Sequence, residues 1–259
     1  MKKNNVAYGD IFKVGNHIVA CGDSRDASFV AEVIGKRKIT MILCDVPYGV
    51  SYTELKAGFS KIKTNKKILN DDISSESGYA QFTKDWLAAV VPHLARKNAV
   101  YIFNSDKMLF ALREGMERSG VKFSQLIIWV KNHLVIGRKD YLPAHELIAY
   151  GWAGTHEFKK AKDRSVLFYP KPSSSPLHPT QKPIGLLRRL ILNSTSINDI
   201  VYDGFAGSGS TGVAAEQTQR SAILIERDED YVQTILTRME RVFGLKPERV
   251  TNHERQKKK

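Results

Sequence analysis

Short apolar runs of strand length punctuate the chain at Ile39–Cys44, Ala99–Phe103, Leu126–Val130, Leu147–Tyr150, Ile200–Tyr202 and Ala222–Ile225. Most are rich in β-branched or aromatic residues, and they predict buried strands. Between them Phe82, Trp86, Val90 and Leu94 recur at every fourth position, while Val232, Leu236, Met239 and Phe243 follow a four-three-four spacing. Each set predicts a helix with one apolar face. Strands interleaved with such helices predict an α/β fold, a doubly wound and mostly parallel sheet with helices on both faces. No fixed period repeats along the chain, which excludes solenoids and propellers.

Two stretches break the rhythm. Residues 51–78 carry Lys56, Lys61, Lys63, Lys66 and Lys67, then Asn70, Asp71 and Asp72 and a serine-rich piece. Without apolar periodicity this reads as a mobile basic loop. Residues 154–183 are rich in Lys, Ser and Pro, with Pro170, Pro172, Pro176 and Pro179, and predict an irregular excursion. The segment His253 to Lys259 is a basic tail expected to fray.

Composition narrows the class. With 259 residues, one α/β domain spanning 1–259 suffices. Forty Lys and Arg against 27 Asp and Glu leave a net charge of +13, which makes a polyanion the first partner to consider. Nucleic acid fits best, although charge alone also suits an acidic membrane surface. The two cysteines, Cys21 and Cys44, lack CxxC spacing, so neither a disulfide framework nor a metal site is expected, and a reducing cytoplasm fits. Met1 to Asn5 is polar with no apolar region behind it, so no secretion signal and no membrane span are expected.

Residues 199–212 run from a strand into a glycine turn that opens a helix. Gly207 and Gly209 allow positive φ and close approach of the backbone to a ligand. Glu226 ends the following apolar run, where a carboxylate can accept the hydroxyls of a ribose. Gly207, Gly209 and Gly212 also satisfy G-x-G-x-x-G, so a nicotinamide-dependent oxidoreductase is a rival reading. Asp203, just before the turn, disfavours a pyrophosphate and suits the ammonium of a methionyl group.

The run Met41–Cys44 leads into Asp45-Val46-Pro47-Tyr48, an acid, a proline and an aromatic ring at a strand's carboxyl end, where open parallel sheets bind ligands. This element resembles the Asp-Pro-Pro-Tyr motif of amino-directed DNA methyltransferases. Phe205-Ala206-Gly207-Ser208-Gly209 is similar to their Phe-x-Gly-x-Gly cofactor motif. The order, catalytic motif first, resembles the circularly permuted β class, and the likeness spans most of the chain. Cys21-Gly22-Asp23 resembles the segment whose acid receives the adenine amino group of the cofactor. The run from His178 through Thr180 and Lys182 to Pro183 resembles the segment preceding the cofactor motif, and Trp129-Val130-Lys131 a strand end near the active site.

The resemblance implies S-adenosylmethionine as cofactor, held by Asp23, Thr180, Lys182, Asp203, Phe205, Ala206, Gly207, Gly209 and Glu226. It implies a catalytic motif of Asp45, Val46, Pro47 and Tyr48, in which the Asp45 carboxylate and the Val46 carbonyl accept from the two hydrogens of an exocyclic amino group while Tyr48 stacks on the flipped base. An acid at position 45 favours adenine N6 over cytosine N4. Double-stranded DNA is the implied partner, gripped through Lys56, Lys61, Lys63, Lys66, Lys67, Arg138 and Lys139. Residues 132–183 are the region where this class carries target recognition, and its short length implies a brief target, with a homodimer as one way of reading it.

Val46 stands where the family usually has its first proline. The loop thereby lacks a locked φ worth about 0.4–1 kcal/mol, so slower chemistry or a looser pocket is expected. A catalytically weakened DNA-binding relative is the corresponding alternative. Gly204 and Ala206 replace the usual Pro and Gly of the cofactor turn, and Ala206 would be strained at positive φ.

Overall fold

The computed structural model describes residues 5–47, 75–132, 140–159, 162–170 and 182–250. In chain order the elements are β1 (Ile11–Val14), β2 (His17–Cys21), α1 (Ala27–Ile34), β3 (Ile39–Asp45), α2 (Glu76–Val90), β4 (Leu94–Asn104), α3 (Leu109–Arg118), β5 (Lys122–Val130) and β6 (His145–Trp152). They continue with β7 (Val166–Phe168), α4 (Ile184–Ser194), β8 (Ile200–Asp203), α5 (Ser210–Gln217), β9 (Ser221–Glu226), α6 (Glu229–Phe243) and β10 (Pro247–Arg249).

All described strands join one sheet in the order β10-β1-β2-β9-β8-β3-β4-β6-β5-β7. The centre, β2-β9-β8-β3-β4, is parallel throughout, and β6 pairs antiparallel with both β4 and β5. Alternation along β3 shows how the layers form. Ile42 and Cys44 point into a core shared with α1, α2 and α3, while Met41 and Leu43 point into one shared with α4 and α5. A further core joins α5 and α6 to β2 and β9. The doubly wound sheet with helices on both faces is therefore the architecture.

Several expected boundaries move. Leu94 does not continue the helix of Phe82, Trp86 and Val90. Pro92 sits in a short 3-10 turn, Val91–His93, and Leu94 opens β4. Proline offers no N–H to the helix ladder, so the four-residue spacing outlasts the helix itself. The loop expected through residue 78 gives way to α2 at Glu76, with Ser75 accepting from the Gly78 amide as its N-cap. Inside the expected irregular excursion, Val166-Leu167-Phe168 pairs parallel with β5. The hairpin β1–β2 adds strands that the apolar runs did not mark.

From β3 the chain proceeds to β4 on one side, and from β8 to β9 on the other. The sheet thus changes winding direction between β3 and β8, which pair through Met41↔Val201 and Ile42↔Tyr202. Ligands of such sheets bind beyond the carboxyl ends of the strands at this point.

Candidate active site

Four acids stand in a row along that edge. Asp45 ends β3, Asp203 ends β8 and Glu226 ends β9, while Asp23 follows β2 by two residues. The Gly22 amide donates to the Glu226 carbonyl at 3.0 Å, which fixes Asp23 beside that strand end. Segments 160 residues apart are tied directly, since the Gly204 amide donates to Cys44 Sγ at 3.3 Å. The Ser24 hydroxyl donates to the Gly204 carbonyl at 2.5 Å. A Cβ on Gly204 would sit 2.8 Å from Ser24 Oγ, so glycine at this position permits the close approach.

The turn after β8 is built around Asp203. Its carboxylate accepts from the Phe205 amide at 3.1 Å and from the Thr211 hydroxyl at 2.6 Å. Burial pushes its carboxyl up to about 7 despite those two hydrogen bonds, and the neighbouring charges of Asp45 and Glu226 add to the rise. Gly207 and Gly209 both take positive φ, at 49° and 79°. Gly212 lets α5 lie on β9, because a Cβ there would come within 2.7 Å of Leu224 Cδ1. The Gly207 amide donates to Glu226 Oε2 at 2.8 Å and the Asp228 amide to Oε1 at 2.9 Å. Burial raises the Glu226 pKa against the effect of those amides.

Ala206 is not among the residues with positive φ. Its amide instead extends the β8–β9 ladder to the Ile225 carbonyl at 3.0 Å, so alanine fits without strain. The Phe205 ring packs on Phe82 and Trp86 of α2, with centroids 5.7 and 5.5 Å away, and so anchors the turn to the helix layer.

The residues fit a cationic amino-acid nucleoside. A buried carboxylate whose charged neighbours are acids suits an ammonium, and the two oxygens of Glu226 keep lone pairs for hydroxyl donors beyond the amides already bound. Asp23 is less open. Arg25 chelates it through Nε and Nη2, the latter at 2.8 Å, and although burial opposes the charge, Arg25 holds the carboxyl below its usual range.

Asp45 has company that the sequence did not assign to it. Lys182, grouped with the cofactor residues on sequence grounds, places its Nζ 2.5 Å from Asp45 Oδ2 and 3.1 Å from Glu146 Oε2. Lys131 Nζ lies 2.6 Å from Glu146 Oε1. Burial works against the Lys182 charge, but the two carboxylates outweigh it and hold its pKa above the ordinary lysine value. Burial likewise opposes charge on Glu146, and Lys182 and Lys131 hold its pKa low. Val46 is buried at 2% exposure in the α1–α3 core, whereas Pro47 is exposed. Tyr48, Thr180, Lys56, Lys61, Lys63, Lys66, Lys67, Arg138 and Lys139 lie outside the described residues. Among the described residues no cluster of His, Cys, Asp and Glu is arranged to hold a metal ion, and no helix is long and apolar enough to cross a membrane.

A glycine turn on one strand end and an acid-led loop on the next, at the switch point of the sheet, mark the place where such folds bind a nucleoside-containing ligand. The family is then identified by sequence: the profile of the DNA methylase family that unites N6 and N4 enzymes matches residues 39–237, and the chain belongs to that family. It is an amino-directed DNA methyltransferase. Type II methyltransferase M2.MboI of Moraxella bovis is 27% identical over 75% of this chain and 78% of its own. Type II methyltransferase M2.LlaDCHI of Lactococcus lactis subsp. cremoris is 27% identical over 85% and 90%. Among solved structures, the M1.HpyAVI–SAM complex superposes with a TM-score of 0.62 at 25% identity, over 85% of this chain and 98% of that one. The cytosine-N4-specific PvuII DNA methyltransferase shares the fold, with a TM-score of 0.66 at 16% identity over 87% and 88%.

Proposed function

We propose that this protein transfers a methyl group from S-adenosylmethionine to adenine N6 in a short duplex DNA sequence. The observation that carries the proposal is the adjacency of Asp45 and Asp203 at the ends of paired strands, an acceptor for the base beside an acceptor for the cofactor. Bound S-adenosylmethionine supplies an electrophilic methyl group on a sulfonium. On this chain, Asp203 binds the methionyl ammonium and Glu226 the ribose hydroxyls. The glycine turn gives the ligand close access to the backbone.

An exocyclic amino nitrogen is a poor nucleophile because its lone pair is delocalised into the ring. Acceptors at Asp45 and the Val46 carbonyl hold its two hydrogens and favour a more sp³-like nitrogen aimed at the methyl carbon. The nitrogen–carbon bond forms as the carbon–sulfur bond breaks with its electron pair left on sulfur. The surplus amino proton passes to the Asp45 carboxylate and then to water. Tyr48 stacking, worth about 1–3 kcal/mol, offsets much of the few kcal/mol that base flipping costs.

The acid at position 45 supports adenine over cytosine. The names of the type II relatives support a role beside a restriction nuclease. A cytoplasmic location, a homodimer, and DNA contacts by the 51–78 lysines with Arg138 and Lys139 complete the proposal. The test is transfer of tritiated methyl from S-adenosylmethionine to unmethylated bacteriophage λ DNA, followed by nucleoside chromatography. The expected product is N6-methyldeoxyadenosine, lost in Asp45→Ala; N4-methyldeoxycytidine overturns the adenine assignment. An inactive wild type with an active Val46→Pro variant favours the weakened-relative reading instead.

A further inference from the structure

The antiparallel strand β6 brings its first residues to the same edge as the carboxyl ends of β3 and β4. Asp45 pairs with Phe103, and Phe103 with Ile148, so Glu146 at the start of β6 stands beside the catalytic loop. Its two oxygens each meet one ammonium, Oε1 that of Lys131 and Oε2 that of Lys182, and Lys182 in turn meets Asp45. Charges therefore alternate along Asp45, Lys182, Glu146 and Lys131. The two ammonium groups are enclosed, with the Lys182 and Lys131 side chains 8% and 4% exposed, whereas Glu146 is 18% and Asp45 30% exposed. Lys182 lies over the Phe103 ring at 5.1 Å and Lys131 over Trp129 at 5.2 Å. In such surroundings a change of charge at one end is felt at the other.

We infer that Glu146 is a positioning residue for methyl transfer: it takes up part of the Lys182 ammonium and so sets how strongly Asp45 draws on the amino hydrogens and accepts the surplus proton. The inference rests on the role given to Asp45 above. Without the Glu146 charge, Lys182 attracts the Asp45 carboxylate alone and makes it a weaker acceptor. Without Lys131, Glu146 holds Lys182 more fully and makes Asp45 a stronger one. The two substitutions therefore act with opposite sign, which a purely structural role does not predict.

Other ionisable groups face Asp45 as well. Asp203 on β8 interacts with it, as do Cys44 on its own strand and Tyr79 on α2. Burial pushes the Cys44 thiol and the Tyr79 phenol far above neutral pH, so neither titrates in the working range. At about pH 8, above the Asp203 value of about 7, that group is a carboxylate in wild type and variants alike.

The experiment measures single-turnover methylation of unmethylated λ DNA at saturating tritiated S-adenosylmethionine at about pH 8. Glu146→Gln is expected to lower that rate by about tenfold. Lys131→Met raises it above wild type, and Glu146→Asp retains most of it. Calorimetry should find S-adenosylmethionine affinity within about twofold of wild type in each, since the ion pairs of Glu146 and Lys131 run to each other and to Lys182 rather than to Asp203 or Glu226. If Glu146→Gln does not fold, the faster transfer by Lys131→Met and the rescue by Glu146→Asp decide the matter. An active wild type beside variants whose rates stay at the wild-type value, or fall together, overturns the inference alone. A wild type that transfers no methyl overturns the proposed function, and the inference falls with it.

Discussion

Asp203→Asn should make the protein more stable and unable to hold its cofactor. The Asp203 carboxyl is buried and its pKa is raised from 3.8 to about 7, so at pH 8 the folded chain carries a charge it resists. Three pKa units at about 1.4 kcal/mol each put that resistance on the order of 4 kcal/mol. Between about pH 4 and pH 7 the folded state binds a proton that the unfolded chain has released, so wild-type stability falls as pH rises through this window. Asparagine removes the charge. Its carbonyl can still accept from the Phe205 amide, and the Thr211 hydroxyl can rotate to accept from its NH₂. Urea unfolding at several pH values reads the result: a gain of a few kcal/mol at pH 8 that shrinks to about 1–2 kcal/mol near pH 5 and to about half a kcal/mol near pH 4. Calorimetry at pH 8 should find S-adenosylmethionine binding lost. A gain independent of pH, or a loss of stability at pH 8, refutes the reasoning.

Wild-type affinity for S-adenosylmethionine should weaken about tenfold per pH unit below about 7, as Asp203 takes up its proton, and a flat calorimetric titration from pH 5 to 8 would contradict this. Gly209→Ala should cost about 1–3 kcal/mol in thermal unfolding, because φ is +79° and the new Cβ meets Ile235 at 3.0 Å. Binding to non-cognate DNA should weaken steeply with salt, by about 10³-fold or more between 50 and 200 mM if six phosphates are neutralised, as read by fluorescence anisotropy. An affinity unmoved by salt would argue against a lysine-based grip.

The acids that terminate parallel strands are legible in the sequence. Asp45, Asp203 and Glu226 each follow a short apolar run, and the period of the chain announces where a buried strand meets solvent. The condition for strain at Ala206 is not met, because φ at a turn depends on which neighbour takes the left-handed conformation, here Gly207. Leu94 leaves the expected helix because the spacing of apolar residues continues past Pro92 although the helix does not. Glu146 is hidden in the sequence for a different reason. His145-Glu146 precedes the run Leu147–Tyr150 without a motif of its own, and its partners depend on strand register. Trp129 lies opposite Glu146 only because β5 and β6 pair antiparallel, which brings Lys131 alongside, and Lys182 arrives from the approach to α4. Local pattern carries no information about such crossings.

The pairing of β10 with β1 has a practical consequence for attaching anything to this molecule. Arg249 reaches the Asn5 carbonyl at 2.9 Å and the Asp10 carboxylate at 3.2 Å, so residues 5 and 249 meet at one margin of the sheet. Five strand steps separate that margin from β3, roughly 24 Å at the usual spacing. A tag or fused domain tethered beyond either residue would leave from the side remote from Asp45, and one linker site would serve both.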